Sequence, residues 1–460
     1  MTYREFIENK TKEIDDSGFE SDRMTYNDNL FDWQRDIVHW ALKKGKACIF
    51  ADCGLGKSLM QLCFADQVYK HTGKNAIILA PLAVANQTKR EGQKFGIDVT
   101  VCRTRNDVKP GINVTNYEMI NHFDIESFSC VVLDESSILK NATGATRTSL
   151  IKMFEKTPYK LCCTATPAPN DFMEIGNHSE FLGIMKQTEM LSTYFVHDGG
   201  DTSHWRLKGH AKQKFFAWIA SWACCITKPS DLGYEDAAYV LPELRIHEIK
   251  TVTEGDFLFC PPIAKTLAER REARHDSLKQ RCIEAKKIAE SNIGQTLIWC
   301  DYNDESEMLQ SIIEDSTEIK GSDNPDFKKN AMIDFSTGKI KTLITKQKIA
   351  GFGMNWQNCS TMVFCGLSDS FEGYYQAVRR CWRFGQKNPV DVYIITSDRE
   401  ESVKQNIERK QENARIMTEQ LVQYTKDFLQ SEIRGTIRIS ESYQAVDEMI
   451  IPEWLKEEKQ

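Results

Sequence analysis

Residues 51–59, "ADCGLGKSL", follow the apolar run "ACIF" and lead into "MQLCFADQVY". An apolar strand, a turn with two glycines and a helix with apolar spacing form a strand–loop–helix unit, in which backbone N–H groups can wrap a phosphate. Gly54, Leu55, Gly56, Lys57 and Ser58 are therefore candidate phosphate-binding residues. Lys57 would bring charge to the phosphate oxygens and Ser58 a hydroxyl for a divalent metal. Ala51 stands where the full phosphate-loop pattern has its first glycine.

Outward from this loop, short apolar runs alternate with helical stretches. "ACIFA", "NAIILA", "GINVTNY", "CVVLDE" and "YKLCCTAT" form a first series, and "TLIWC", "KTLITK", "TMVFCG" and "VDVYIIT" a second. Strands apolar on both faces and joined by helices indicate parallel sheets in α/β layers. The expected organisation is an N-terminal extension (1–27), a first lobe (28–167), a helical insertion packed on it (168–255), a second lobe (256–400) and a C-terminal helical tail (401–460). Residues 263–293 contain neither Gly nor Pro, which predicts one long helix.

The 460 residues, 41% hydrophobic and 27% charged, suit a folded chain of two or three domains. No apolar run approaches the length of a membrane span, and the charged start "MTYREFIENKTKEIDD" lacks the apolar core of a signal peptide. A cytoplasmic protein without membrane contact is expected. The 15 cysteines include no CxxC pair, so neither disulfides nor structural zinc are expected. With a net charge of -7, nucleic-acid binding would need a local basic surface.

Three further stretches carry chemistry. "CVVLDESSILKN", 130–141, ends a buried strand in two carboxylates: Asp134 can hold Mg²⁺ and Glu135 can orient an attacking water. "TATP", 164–167, puts the hydroxyls of Thr164 and Thr166 at another strand end, suited to relaying hydrogen bonds between lobes. "QAVRRCWRFGQ", 376–386, spaces Arg380 and Arg383 by three, hence on one face if helical, where guanidinium groups can brace a transferring phosphoryl group. Arg379 would project about 100° away and stand outside the site.

In this order the elements resemble a superfamily two helicase core, more closely its Swi/Snf-like branch, over about residues 30–400. "DWQRDIVHW" resembles the adenine-reading element, with Gln34 as its amide. "ILAPLAVANQTKRE" and "VTNYEMI" resemble DNA-backbone motifs, making Lys89, Thr115 and Asn116 candidate nucleic-acid contacts. "LDESSILKN" matches the Leu-Lys-Asn ending of the branch, although Ser137 stands at a position where relatives of the DEAH type have histidine. "KIAGFGMNW" resembles the fifth motif, placing Gly353 near nucleotide, and the Gly-Gln ending of 376–386 resembles the arginine-finger motif, with Gln376 a coupling residue. "ITKPSDLGY" resembles a stretch of compact phage-encoded members.

The resemblance implies two RecA-like lobes with an ATP cleft between them, ATP and Mg²⁺ as ligands, and movement along duplex DNA, with a DNA-processing protein as a further partner. Catalysis would fall to Lys57, Glu135, Arg380 and Arg383. Two other readings stay open: a remodeller of RNA duplexes, and a nucleotide-gated clamp without hydrolysis.

Overall fold

The computed structural model describes residues 16–433 apart from 82–83, 141–143, 169–170, 199–200, 237–238, 252–266, 351–353 and 369. The ends of the expected N-terminal extension and C-terminal tail, and Gly353, lie outside these.

The first lobe is built on β1 (Lys46–Ala51), β2 (Asn75–Ala80), β3 (Val99–Val101), β4 (Ile112–Asn116), β5 (Phe128–Asp134) and β6 (Tyr159–Thr164). After them β7 (Phe195–Asp198) and β8 (Asp201–Leu207) pair as a separate antiparallel ribbon, and β9 (Ala223–Ile226) returns to the sheet. The sheet runs β3-β4-β2-β5-β6-β1-β9 with every pairing parallel. Its helices are α1 (Asp32–Lys44), α2 (Lys57–Thr72), α3 (Ala85–Lys94), α4 (Ala145–Met153), α5 (Ile175–Leu182), α6 (Gln187–Tyr194) and α7 (Lys212–Ala220). Successive side chains of a strand point to opposite faces. Accordingly Ala47 and Ile49 join one core with Trp33, Ile37 and Phe64, while Cys48 and Phe50 join another with Phe154, Phe181, Phe215 and Trp222.

In the second lobe β10 (Leu244–Thr251), β11 (Thr296–Cys300), β12 (Ser316–Ile319), β13 (Thr342–Lys346), β14 (Thr361–Cys365) and β15 (Val390–Ser397) form a second all-parallel sheet, ordered β10-β15-β14-β11-β13-β12. Its helices are α8 (Leu267–Asp276), α9 (Leu278–Ser291), α10 (Asn303–Ile312), α11 (Pro325–Ser336), α12 (Gln347–Ala350) and α13 (Phe371–Val378). The final helix, α14 (Glu401–Ile433), starts against the second core through Val403 and Ile407 and ends in the first-lobe cores through Leu421, Leu429 and Ile433.

The fold is the expected pair of parallel-sheet α/β lobes, and all nine strand runs are strands. The stretch expected to be helical is mixed: β9 extends the first sheet beside β1, and β10 belongs to the second. The long helix is two helices where the sequence is described, α8 and α9, meeting at Ser277. There Ser277 Oγ donates back to the Ala273 carbonyl at 2.8 Å, a bond that competes with helix continuation.

Candidate nucleotide-binding cleft

The carboxyl ends of β5, β6 and β1 lie side by side, with Asp134 level with Cys163 and Phe50 level with Thr164. Open parallel sheets take ligands at such ends.

The loop after β1 depends on its glycines. Gly54 and Gly56 have φ of 89° and 74°, a region that side chains rarely enter. A Cβ on Gly56 would run into the Gln34 amide, and one on Gly54 would stand 3.0 Å from the backbone nitrogen of Phe384 in the other lobe. Leu55 is buried, and its carbonyl accepts from Gln34 Nε2 at 2.9 Å, while Gln34 Oε1 accepts from Phe31 N at 3.0 Å. The Gln34 amide thus braces the loop in this conformation. Lys57 opens α2, and its Nζ donates to the carbonyls of Ala51 and Asp52 at 2.7 and 3.2 Å. Ser58, next in the helix, is half-buried.

Asp134 and Glu135 face this loop. Gln61 Nε2 donates to Asp134 Oδ1 at 2.8 Å, and the Tyr117 hydroxyl donates to the Asp134 carbonyl at 2.6 Å. Gln61 escaped the sequence reading although it follows Ser58 by three positions, a spacing that places both on one side of α2. Glu135 is the one non-glycine with positive φ, 53°, among the described residues. Its Oε2 is buried with no hydrogen-bond partner among them. Burial pushes the Glu135 carboxyl up to about 7, against the pull of Lys57, and raises Asp134 as well.

The opposite wall comes from residues 379–386. The helix expected here stops early: α13 ends at Val378 and Arg379 is its C-cap. Turns, not a helix face, bring Arg380 and Arg383 together, and their Nη1 atoms share the Met354 carbonyl at 3.2 and 3.5 Å. Among the described residues neither is ion-paired to a carboxylate. Burial lowers the proton affinity of both, and for Arg383 the adjacent Arg380 adds to it. Arg379, expected outside the site, is buried and crosses the cleft: its Nη2 bonds one Asp52 oxygen, and the Tyr375 hydroxyl donates to the other. Although burial opposes its charge, Tyr375 and Asp52 hold Arg379 above its ordinary value. A second crossing pair joins Lys140 to Glu372.

A cation fits this arrangement. Two half-buried carboxylates with raised proton affinity stand near Lys57 and Gln61, the residues that flank Ser58 at the start of α2. Yet among the described residues no group of three or more His, Cys, Asp or Glu converges as a metal centre. That matches an ion held by one or two protein oxygens plus substrate phosphates, as Mg²⁺ commonly is.

The remaining candidates divide. Thr164 is buried and its Oγ1 accepts from Thr166 N at 3.1 Å, so both lie at the β6 end, while Gln376 is buried on the far wall in α13. Lys89 is exposed on α3. Thr115 does not reach the surface: it is 1% exposed inside β4. Asn116 Oδ1 accepts from Met119 N at 3.0 Å, capping the following turn. Between the lobes a cavity of about 550 Å³ is lined by Lys140, Arg271, Lys346 and Lys348, with Asp301 and Glu372 as its carboxylates. Among the described residues no helix is long and apolar enough to cross a membrane.

Fold and site together define a two-lobed parallel α/β protein with a glycine-bearing candidate phosphate loop on one wall of its cleft and arginines on the other. Residues 33–195 match the model of the SNF2-related domain, and residues 278–385 that of the helicase conserved C-terminal domain. The chain carries the paired domains of a superfamily two core of the Swi/Snf-like branch. Among solved structures, the SWI2/SNF2 ATPase core of Sulfolobus solfataricus in complex with dsDNA is similar at 17% identity, covering 90% of this chain and 99% of that one with a TM-score of 0.42. The search of curated proteins found no match.

Proposed function

We propose that this chain is an ATPase directed by duplex DNA, which couples hydrolysis to movement along the duplex. One observation carries the reading. The partly buried carboxylates of Asp134 and Glu135, with raised proton affinity, stand across the cleft from the guanidiniums of Arg380 and Arg383, which among the described residues pair with no carboxylate. Such a set is completed by a polyphosphate with its metal.

The loop amides from Gly54 to Ser58 would hold the phosphates, and Lys57 would exchange its loop carbonyls for the β and γ oxygens. Ser58 and Asp134 would hold Mg²⁺, which when bound neutralises charge on the phosphate oxygens. Glu135 orients water in line with the γ-phosphorus. Arg380 and Arg383 stabilise the charge that spreads over the transferring group, and they act only when the second lobe is docked, so hydrolysis follows closure. Thr164, Thr166 and Gln376 lie where hydrogen bonds can pass between the walls. Duplex DNA as the track is supported by the SNF2-related domain and the Gly385–Gln386 ending, and the four cations of the interlobe cavity suit a phosphate backbone.

The test is steady-state phosphate release with duplex DNA, single-stranded DNA or RNA, beside Lys57→Ala. Stimulation by duplex DNA, lost in Lys57→Ala, is expected. Stimulation by RNA alone would select the RNA remodeller, and nucleotide binding without release would select the clamp.

A further inference from the structure

Glu135 holds a left-handed backbone conformation, φ 53°, that is strained for a non-glycine residue, and such strain persists only where its surroundings over-determine it. The surroundings here are specific. Ser136 Oγ lies 3.1 Å from His178 Nε2, with both residues 0% exposed. Asn177, also fully buried, donates through Nδ2 to the Lys140 carbonyl at 3.1 Å. The acidic turn, 134–140, is therefore gripped near its start and at its end by two consecutive residues of α5. At the end, Lys140 reaches across the cleft to Glu372.

α5 is buried on nearly every side: Ile175, Gly176, Ser179, Phe181 and Leu182 are all enclosed. An amide and an imidazole in such a helix are costly unless hydrogen-bonded, and apolar residues would fill the volume as well. The imidazole also takes the edge of the Phe50 ring at 5.1 Å, which fixes its plane. Burial pushes His178 down to about 4 against hydrogen bonds with Glu174 and Ser136, so it is neutral at physiological pH and acts through hydrogen bonding, not through charge.

We propose that His178 and Asn177 are positioning residues for Glu135, clamping the turn at 136 and 140 so that the strained carboxylate stays in place and its position is tied to the interlobe pair Lys140–Glu372. Neither residue touches the reacting atoms. The clamp rests on the ATPase reading given above.

The experiment uses the full chain with His178→Ala, His178→Gln, Ser136→Ala and Asn177→Ala. Gln carries a nitrogen near the place of Nε2, whereas Ala carries none. Four readouts are taken: saturating hydrolysis rate, its pH profile, nucleotide affinity from a fluorescent ATP analogue, and amide hydrogen exchange over 134–140 in the nucleotide-free chain. His178→Ala should lower the rate roughly 10- to 100-fold, the scale of an ångström-sized misplacement, with affinity changed less than about threefold. Exchange in the turn should quicken. Ser136→Ala should do the same by a smaller perturbation, and the two combined should cost little more than either, because they share one bond. His178→Gln should restore most of the rate with an unchanged pH profile. If His178→Ala hydrolyses at the wild-type rate, or His178→Gln is as impaired as His178→Ala while turn exchange stays unchanged, the clamp is overturned and the ATPase reading stands. Should His178→Ala not fold, Ser136→Ala carries the same test. A wild-type chain without turnover overturns both.

Discussion

Two sets of clustered charge differ in how they are closed. In the second lobe Arg281 donates to Glu305 at 2.8 Å, to the Cys365 carbonyl at 2.6 Å and to Ser277 Oγ at 3.0 Å. Arg274 pairs with Asp301 at 2.8 Å and lies 3.4 Å from both Glu305 and Glu400. Burial opposes all these charges, yet the arginines hold Glu305 below the ordinary carboxylate range, and the carboxylates hold Arg274 above its own. The cleft shows the reverse signs: Asp134 and Glu135 are raised, Arg380 and Arg383 lowered. Arg281, Glu305 and Arg274 are more deeply buried than Asp134, Glu135 and Arg383, yet the deeper set keeps its charges, so the difference lies in the partners. The first set is ion-paired within the chain; under the proposed function the second is ion-paired only when nucleotide and metal bind.

The sharpest break of this comparison is to remove one arginine from each set. Arg380→Ala or Arg383→Ala should cut turnover by about 10³ to 10⁵, the range of arginine fingers, without lowering the melting temperature, since each removes a buried charge that lacks a carboxylate. Arg281→Ala should instead cost about 3–5 kcal/mol of stability, as expected when a buried ion pair loses one partner and Glu305 keeps only the Arg274 cation, 3.4 Å away. Single-turnover hydrolysis and denaturant melts of the three variants decide. An unstable Arg380→Ala beside a stable Arg281→Ala would invert the assignment.

The next effect is a pH dependence. A carboxyl whose folded value lies near 7, above the ordinary 4.5, binds its proton more tightly in the folded chain. Its favourable contribution is full below the unfolded value and is lost as pH rises to about 7. Between pH 4.5 and 7 the nucleotide-free chain should therefore lose up to about 3 kcal/mol relative to Glu135→Gln. Nucleotide with Mg²⁺ should shrink that difference, and a difference unchanged by ligand would place Glu135 outside the site.

Arg379 tests the border between the sets, for it lies in the cleft and is paired. Arg379→Ala and Asp52→Asn should each slow duplex-stimulated hydrolysis about 3- to 30-fold by weakening closure, and the double variant should be no slower, as for partners in one contact. Additive losses would mean that the two act separately.

The smallest effect belongs to the surface. Lys89→Ala should reduce the log–log salt slope of duplex binding by about 0.9 if it meets one phosphate, while Thr115→Val should leave the slope alone. An equal change in both would show the slope to be reporting folding.

Much of this was legible in the sequence. The nine apolar runs are strands because each is enclosed on both faces, the condition that makes a strand uniformly apolar. β9 was hidden because "ACCI" continues the aromatic helix α7 without punctuation. β10 was hidden because "LRIHEIKT", at the sheet edge, mixes charge with apolar residues. Lys57 and Arg380 lie within electrostatic reach of Asp134 and Glu135, and Arg383 lies beside Arg380. Arg379 was misjudged because the angular argument assumed a helix that stops at Val378, and because an ion pair spanning residues 52 and 379 leaves no local pattern. Thr115 was misjudged since a motif resemblance carries no burial.

The strap α14 has a mechanical consequence. At about 1.5 Å per residue its 33 residues extend about 50 Å, and it returns the chain from the second lobe to the first. The segment between β9 and β10 makes the other crossing. Two bodies joined at two separated places keep chiefly one easy motion, rotation about the line through the joints; sliding apart and twisting are resisted. The strap also keeps the lobes at a high effective concentration for one another, set by its length and stiffness. Under the proposed cycle an opening would be a swing along one arc, and its return would bring Arg379 back towards Asp52.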